Sequence, residues 1–421
     1  MNIAVKALVF IFLAVQAVNA RGETDTRQKC LSPRFKSLQV RVNGNADVPA
    51  VIIAGSADQL SVSFDELSTQ ARNLRWSLTH CNARWQPEEL SDFEFTDGLN
   101  EATIDDFEYS RSTLTHYVHY SITLPDERIP LKISGNYLLK VYEEYEPENI
   151  LLQVRFSFAE NSMRVNASVS PRTDIDYMDR HQQLEIEVDT KGSGISNPYT
   201  DLTTIVEQNP GNPSRVVLPS PSMMRGSTVS YNHLRPLIFK GGNEYRRFET
   251  VSTSYPGMGI DKIGHTPDGY VADLLIDTPR YANGYIYDRT QHGAFTVREY
   301  NSDNSDTEAE YVLTNFTFES PKFPGAEVHI DGALTSHALD SSTRMDYDPE
   351  IGCYQKSLLL KQGAYDYRYV AVSPGSDEIS TDFTEGNYCD TSNQYIIYVY
   401  YRNPGERFDR LAAVTTTALH K

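Results

Sequence analysis

The stretch Ile150-Leu-Leu-Gln-Val-Arg-Phe-Ser-Phe158 alternates apolar and polar side chains. Leu152, Val154 and Phe156 fall on one face of this stretch, whereas Gln153 falls on the other. Because successive side chains of a strand point to opposite faces, this period of two predicts a strand with one buried face.

The same alternation recurs along the chain, at Leu184–Val188 and at Tyr365–Tyr369. Tyr395–Tyr401 is a run of Tyr, Ile and Val with aromatic side chains on both faces. The composition agrees, since 27 Tyr and 17 Phe stand against 2 Trp, and Tyr and Phe favour strands. Helical periodicity over three turns is absent, so we predict an all-β fold of three β-sandwich-like domains in series.

The domain boundaries follow from two polar segments. A chain of 421 residues is long enough for two to four domains at about 100–200 residues each. Residues 161–171 and the acidic segment Asn301–Glu310 are rich in turn-forming or polar side chains, and the second is expected to be a solvated linker. We therefore predict an N-terminal β-domain at 28–160, a middle β-domain at 165–300 and a C-terminal early-set, immunoglobulin-like β-sandwich at 311–415.

The charge excludes some partners. The chain has 38 basic and 57 acidic side chains, a formal net charge of −19. Binding of nucleic acid or of an anionic lipid surface requires clustered cationic charge, so neither is expected. An acidic chain is expected to meet a basic partner surface in an association that weakens with salt.

The first 20 residues are expected to be a cleaved signal peptide. Lys6 precedes the apolar run Ala7–Val15, and small residues before a cleavage point follow up to Ala20. Nine apolar residues cannot cross about 30 Å of hydrocarbon. Cys30 follows Arg27-Gln-Lys, which does not match a lipobox. We therefore predict an exported protein with no membrane insertion of its own.

Four cysteines in an exported chain suggest disulfides. Cys30, Cys81, Cys353 and Cys389 allow three connectivities. Their spacing leaves Cys353–Cys389 and, with less support, Cys30–Cys81 as possible local disulfides. The sequence does not distinguish the connectivities.

Metal-ligating atoms occur together at His80, Cys81, His116 and His119. The two last histidines lie in the β-patterned run Thr115–Leu124, where residues three apart point to opposite faces. They are therefore unsuited to share one ion, and structural roles are expected for all four. No metal site and no cofactor are predicted.

No catalytic constellation stands out. Carboxylates are frequent at Asp97, Glu101, Asp105, Asp106 and Glu108, but their spacing does not define the facing pair that a glycosidase needs. The patterns of a nucleophile elbow, a P-loop and a dinucleotide fingerprint are missing from the sequence. We predict that the protein is not an enzyme and name no catalytic residue.

Several motifs follow one another through nearly the whole chain. They are Arg75-Trp-Ser-Leu-Thr-His-Cys-Asn-Ala-Arg-Trp85, Phe95-Thr-Asp-Gly-Leu-Asn-Glu101, His116-Tyr-Val-His-Tyr120, Ile133-Ser-Gly-Asn-Tyr137, Ser196-Asn-Pro-Tyr199, Phe239-Lys-Gly-Gly-Asn-Glu-Tyr-Arg-Arg-Phe248, Leu358-Leu-Leu-Lys-Gln-Gly-Ala-Tyr-Asp-Tyr367 and Tyr400-Tyr-Arg-Asn-Pro-Gly-Glu-Arg-Phe-Asp-Arg-Leu411. In this order they closely resemble the plug protein family of the type IX secretion system of Bacteroidota. The resemblance covers roughly residues 30–415.

This resemblance implies a function that involves no catalysis. Members of that family are periplasmic and seal the periplasmic mouth of a very large outer-membrane β-barrel translocon when no substrate is passing. The resemblance implies that barrel as partner and assigns no residue to the contact, so the partner-binding residues stay unknown.

A second resemblance concerns the C-terminal domain. Glu327–Thr335 followed by Lys361–Tyr369 is similar to the early-set β-sandwich of glycogen- and starch-binding modules. Those modules stack sugars on exposed aromatic side chains, and Tyr354, Tyr365 and Tyr367 are the candidates here. A periplasmic or surface carbohydrate-binding protein is therefore the alternative function, although the usual Trp is missing.

Overall fold

The computed structural model describes residues 25–211, 214–376 and 378–419, so the predicted signal peptide lies outside the described residues. Its strands form six sheets, which confirms the predicted all-β fold. None of the described helices is long and apolar enough to cross a membrane. The helices are short: α1 Asp92–Phe95, α2 Pro198–Asp201 and α3 Ser305–Glu308, with 3₁₀ turns at Arg235–Leu237 and Ala333–Thr335.

The first domain consists of two sheets around one apolar core. Its strands are β1 Lys29–Cys30, β2 Phe35–Val42, β3 Val51–Ile53, β4 Leu60–Glu66, β5 Leu74–Cys81, β6 Ala102–Thr103, β7 Asp106–Tyr109, β8 Val118–Leu124, β9 Gly135–Glu143 and β10 Ile150–Ala159. One sheet has the order β1-β10-β9-β5-β6 with β3 added parallel to β10, and the other has the order β2-β4-β8-β7. Side chains of both sheets, among them Phe64 and Trp76, form the core.

Strand β10 follows the predicted alternation. Leu152, Val154 and Phe156 are buried in the core, as predicted. Gln153 and Ser157 on the opposite face are buried as well. The chain before β1 covers part of that face, where Gln153 donates to two of its carbonyls, and strands of the middle domain pack nearby. The alternation therefore shows which side chains point to the core, but not that the other face meets water.

The remaining strands belong to two further domains. They are β11 Arg164–Ser170, β12 His181–Asp189, β13 Leu202–Gln208, β14 Arg215–Val217, β15 Met223–Arg225, β16 Thr228–Tyr231, β17 Ile238–Lys240, β18 Arg246–Glu249, β19 Ile260–Thr266, β20 Gly269–Leu274, β21 Phe295–Val297, β22 Tyr311–Glu319, β23 Glu327–Asp331, β24 Asp346–Asp348, β25 Cys353–Lys361, β26 Gly363–Val372, β27 Ile379–Ser380, β28 Gln394–Tyr401 and β29 Arg410–Ala418.

The middle domain is built from two separate segments of the chain. One of its sheets has the order β11-β12-β16-β15 with β17 paired to β12, and the other has the order β14-β13-β28-β29. Val206 of β13 lies opposite Ile397 of β28. Both side chains are buried in a core that they share with Ile186 of the facing sheet.

The third domain is inserted between β17 and β28. Its sheets have the orders β18-β26-β21, with β23 and β27 also paired to β26, and β19-β20-β22-β25-β24. The core between them is aromatic. The ring of Tyr365 stacks between Phe248 and Phe295, with ring centroids 5.1 Å apart on each side.

This topology corrects the predicted boundaries 165–300 and 311–415. The strands of the third domain run from residue 246 to residue 380, and β28 and β29 complete the middle domain instead. Strand β28 carries aromatic side chains on both faces because each face packs in a different apolar cluster. Tyr395 and Ile397 point into the middle-domain core, while Tyr398 and Tyr400 point to the first domain. The three domains therefore do not simply follow in series.

The segment Asn301–Glu310 is not the solvated linker that its composition predicts. It contains α3, and Thr307, Ala309 and Glu310 are buried. The carboxylate of Glu310 accepts the backbone N–H groups of Leu114 and Thr115 in the first domain. The side chain of Glu310 thus makes a contact between domains, which composition does not show.

The insertion of the third domain into the middle domain predicts which strands a core mutation destabilises. We expect Ile397→Ala to cost about 2–5 kcal/mol, because a buried branched side chain leaves a cavity. Amide hydrogen exchange should then rise in β12 and β13, some 200 residues earlier, and stay unchanged in β25 and β26. The matched variant Ile330→Ala should show the reverse pattern. Faster exchange in β25 and β26 of Ile397→Ala would contradict this domain assignment.

Candidate functional site

The predicted histidine and cysteine group does not form a metal centre. His80 is buried and its Nδ1 lies 2.7 Å from Oε2 of Glu88, while His119 Nδ1 lies 2.6 Å from Oδ1 of Asp65. His116 is exposed. No group of three or more His, Cys, Asp or Glu side chains in the described part of the chain is arranged to hold a metal ion.

The first-domain carboxylates do not form a catalytic pair either. Asp105 is exposed and pairs with Arg128 at 2.8 Å, and Asp106 is an exposed residue of β7. In the third domain, Arg246 bonds both the half-buried Asp277 at 2.6 Å and the buried Glu385 at 3.0 Å. Burial opposes ionisation of Glu385, but Arg246 and Arg280 lower its pKa to about 2. A carboxylate held in this state is an ion-pair partner and not a general acid.

The candidate sugar-stacking tyrosines lie inside the protein. Tyr354, Tyr365 and Tyr367 are each no more than 4% exposed. Tyr367 donates its hydroxyl to Asp277. The hydroxyl of Tyr354 accepts the N–H of Phe323 at 2.8 Å, and its ring packs against Tyr347 and Phe323. These three rings are core side chains, so they cannot stack a carbohydrate.

All four cysteines are free thiols, and neither possible disulfide is formed. Cys30 lies on β1 and Cys81 on β5, with β10 and β9 between them. Three strand spacings amount to about 14 Å, well beyond the reach of a disulfide. Cys353 lies on β25 of the third domain, whereas the carbonyl of Cys389 accepts a hydrogen bond from β12 of the middle domain.

The thiols should be unreactive in the native protein. Burial raises the pKa of Cys81 to about 12, so almost no nucleophilic thiolate forms at neutral pH. We expect a thiol reagent to count four thiols per chain in unreduced, denatured protein, and Cys81→Ser to lower that number by one. A count of two in the parent chain would show that a disulfide had formed.

The contact between the first and third domains centres on a buried ion pair. We name Asp65, His119, Tyr311 and Lys361 the Asp65 cluster. Oδ2 of Asp65 accepts hydrogen bonds from the hydroxyl of Tyr311 at 2.7 Å and from Nζ of Lys361 at 2.6 Å. The ammonium of Lys361 also lies 4.0 Å from the ring centroid of Tyr117, a cation–π contact.

The electrostatics of the Asp65 cluster favour the charged carboxylate. Burial alone raises the pKa of Asp65, but the charge of Lys361 and the hydrogen bond from His119 hold that pKa below its ordinary value. Burial, together with the charge of Asp65, raises the pKa of Tyr311 well above 10, so its hydroxyl stays a donor. The first domain thus supplies a buried anion, and the third domain supplies the cation that stabilises it.

A second polar network joins the first and middle domains. Glu88 bridges His80 and Arg402, whose Nη2 lies 2.9 Å from Oε1 of Glu88. Nε of Arg402 lies 2.9 Å from Oδ1 of Asp409, and Oδ2 of Asp409 accepts the N–H of Ala83 at 2.8 Å. An apolar cluster lies beside this network, formed by Val51, Ala83, Ala159, Ile205, Ile396, Tyr398, Tyr400 and Leu411.

The residues that form these contacts between domains could not be identified from the sequence. Asp65 and Lys361 are separated by 296 positions, and although Lys361 lies in the motif Leu358–Tyr367, Asp65 lies in none of the quoted motifs. A weak signal existed in Lys361, because it ends a strand in which Leu358, Leu359 and Leu360 are apolar. A cation next to such a run indicates a buried partner, but the sequence does not identify it.

The Asp65–Lys361 pair makes a quantitative prediction. We expect Lys361→Met to destabilise the protein by about 3–5 kcal/mol, because it leaves the Asp65 carboxylate buried without its cation. The double variant Asp65→Leu with Lys361→Met should recover most of that loss in chemical denaturation. The exposed pair of Arg128 and Asp105 is the control, since Arg128→Gln should lower the free energy of unfolding by at most about 1 kcal/mol. Equal losses of unfolding free energy in Lys361→Met and Arg128→Gln would show that the buried pair contributes no more to stability than the exposed pair.

Comparison with known proteins gives two informative matches. The family model described as "Type 9 secretion system plug protein 1st domain" matches residues 35–160, the strands β2 to β10. The crystal structure of a hypothetical protein from Parabacteroides merdae ATCC 43184 shares 38% sequence identity with this chain. The match covers 93% of this chain and 99% of that one, with a TM-score of 0.91.

Other comparisons add nothing to this result. No curated protein matches the chain. The collagen adhesin of S. aureus aligns with 6% identity and a TM-score of 0.11, which is no likeness in fold. The match of the first domain to the family model, together with the relative that shares the whole described fold, identifies the chain: it belongs to the plug protein family of the type IX secretion system.

Proposed function

We propose that the protein is a non-enzymatic plug of the periplasm. In this role it seals the periplasmic mouth of the outer-membrane β-barrel translocon while no substrate passes, and it leaves when secretion begins. The observation that carries the proposal is membership of the plug family, since the family model covers the first domain almost completely.

The contacts between the domains support a sealing role. A plug must keep its shape against a wide opening, which requires that its domains do not rotate independently. Here the first domain is held to the third by the Asp65 cluster and to the middle domain by the Glu88–Arg402–Asp409 network. The Asp65–Lys361 pair is buried and favours one arrangement, because a rotation would leave its charges without partners.

The N-terminal sequence and the net charge support the location and the partner. Lys6 and the run Ala7–Val15 have the pattern of a signal peptide, which directs export from the cytoplasm. A net charge of −19 suits reversible association with a basic rim, because such contacts form fast and dissociate readily. Neither a catalytic pair nor an exposed sugar platform at the expected tyrosines competes with this role among the described residues.

The decisive experiment measures leakage through the barrel. Deleting the gene should let an antibiotic that is too large for ordinary porins enter the cell, because idle translocons would stay open. Growth inhibition by that antibiotic is the readout, and the wild-type chain supplied in trans should restore resistance.

A double deletion provides the control. Cells that lack both this protein and the translocon barrel should be as resistant as the parent strain, because the leak has lost its path. Unchanged resistance in the single deletion would contradict the plug role. A leak that persists in the double deletion would mean that the protein affects the envelope in another way.

A further inference from the structure

A cavity of about 440 Å³ lies where all three domains meet. The first domain contributes Val40 and Trp85, the middle domain contributes Tyr398, and the third domain contributes Phe295 and Leu339. Most of the wall is therefore apolar. A cavity of this size lies within the range of sites for small organic molecules.

Trp85 is held at the cavity by an unusual backbone. Its φ angle is +64°, a left-handed conformation that is rare for a bulky side chain. Asn82 stabilises the turn, because its carbonyl accepts the N–H of Trp85 and its Oδ1 accepts the N–H of Gln86. The carbonyl of Trp85 in turn accepts the hydroxyl of Thr26. Strained residues that are held in this way are often found at binding sites.

Two arginines lie against the indole of Trp85. The guanidinium carbons of Arg155 and Arg215 are 4.7 and 5.7 Å from its ring centroid, and Arg215 also lies 5.6 Å from the ring centroid of Tyr398. Burial and the neighbouring charge of Arg215 lower the pKa of Arg155 to about 10. Two cations thus share one aromatic platform at the wall of the cavity.

Polar atoms of this wall lack partners. Nε of Arg215 and Nδ1 of His292 are both buried, and neither has a hydrogen-bond partner among the described residues. The other nitrogens have partners: Nη2 of Arg215 donates to the carbonyl of Ala83 at 2.9 Å, and Arg155 donates to the carbonyl and hydroxyl of Thr26. A buried donor without an acceptor is costly, so its presence indicates a group that is supplied from outside.

The lining of the cavity contains fewer carboxylates than cations. Glu207 lies opposite Arg215 in the β13–β14 pairing, and its Oε1 accepts the N–H of Gly211 at 3.0 Å. Burial raises the pKa of Glu207, whereas the neighbouring charge of Arg215 acts to lower it. Asp47 is the other carboxylate among the lining residues, against the three cations Arg27, Arg155 and Arg215. Three cations of the described lining thus face two carboxylates, and one of the cations, Arg27, also pairs with Asp25 at 3.1 Å.

We infer that this cavity binds a small anionic amphiphile, with its acid group at Arg215 and its apolar body against the side chains of all three domains. The charge of Arg215 and the unpartnered Nε select the acid group, and the apolar wall selects the hydrocarbon or aromatic body. Because the ligand would touch three domains at once, its binding would stabilise their arrangement. This inference is independent of the plug role.

The test compares three probes that share one apolar body, namely decanoate, decanol and decyltrimethylammonium, each below its micelle concentration. We expect decanoate to bind the full-length protein at least tenfold more tightly than the other two. Trp85 is the reporter, since Trp76 is fully buried in the first-domain core. Saturable change in emission, lost in Trp85→Phe, and a rise in melting temperature with decanoate are the readouts. Equal affinities for the three probes would overturn the inference.

Two variants locate the binding. Arg215→Gln should weaken decanoate at least tenfold and leave decanol unchanged, whereas Arg225→Gln, which removes an exposed cation on β15, should change neither. Ala46→Phe fills the cavity from a loop and should abolish the decanoate-induced rise in melting temperature. Identical decanoate affinity in Arg215→Gln and Arg225→Gln would overturn the inference. If Arg215→Gln fails to fold, an undiminished rise in Ala46→Phe would do so.

Discussion

The carboxylate of Asp65 is fully shielded from water, so each of its oxygens must find its donors within the protein. The first domain supplies one donor, His119, and the third domain supplies the other two, Tyr311 and Lys361. An isolated first domain would therefore lack two of the three donors that this carboxylate has in the whole chain. This one group makes the two domains energetically dependent on each other, although they are far apart in the sequence.

The chain topology adds a second dependence. The middle domain is closed by β28, which pairs with β13, and by β29, which pairs with β28; both strands follow the whole third domain in the sequence. One face of β28 completes the middle-domain core, and the other face packs on the first domain through Tyr398 and Tyr400. A single strand thus belongs to two apolar clusters. The three domains are held together because β28 contributes to the cores on both of its faces and the Asp65–Lys361 pair joins the first and third domains.

Local patterns predicted the local structure well. The alternation in β10 identified Leu152, Val154 and Phe156 as core residues, because side-chain direction in a strand depends on the backbone alone. The ordered motifs also identified the family. Contacts between distant segments were not predictable, since they depend on which surfaces meet. For that reason the pairing of β28, the burial of Glu310 and the partner of Asp65 could not be derived from composition or spacing.

The insertion of the third domain also has a consequence for the order in which the protein is made. Synthesis proceeds from the N-terminus, so every strand of the first domain exists once residue 159 has emerged, and every strand of the third domain once residue 380 has. The middle domain has to wait for Gln394–Ala418. Until then, one side of β13 is an open edge that can pair with strands of other chains. A chain that ends before Gln394 therefore contains every strand of the first and third domains but a middle domain with an unpaired strand edge.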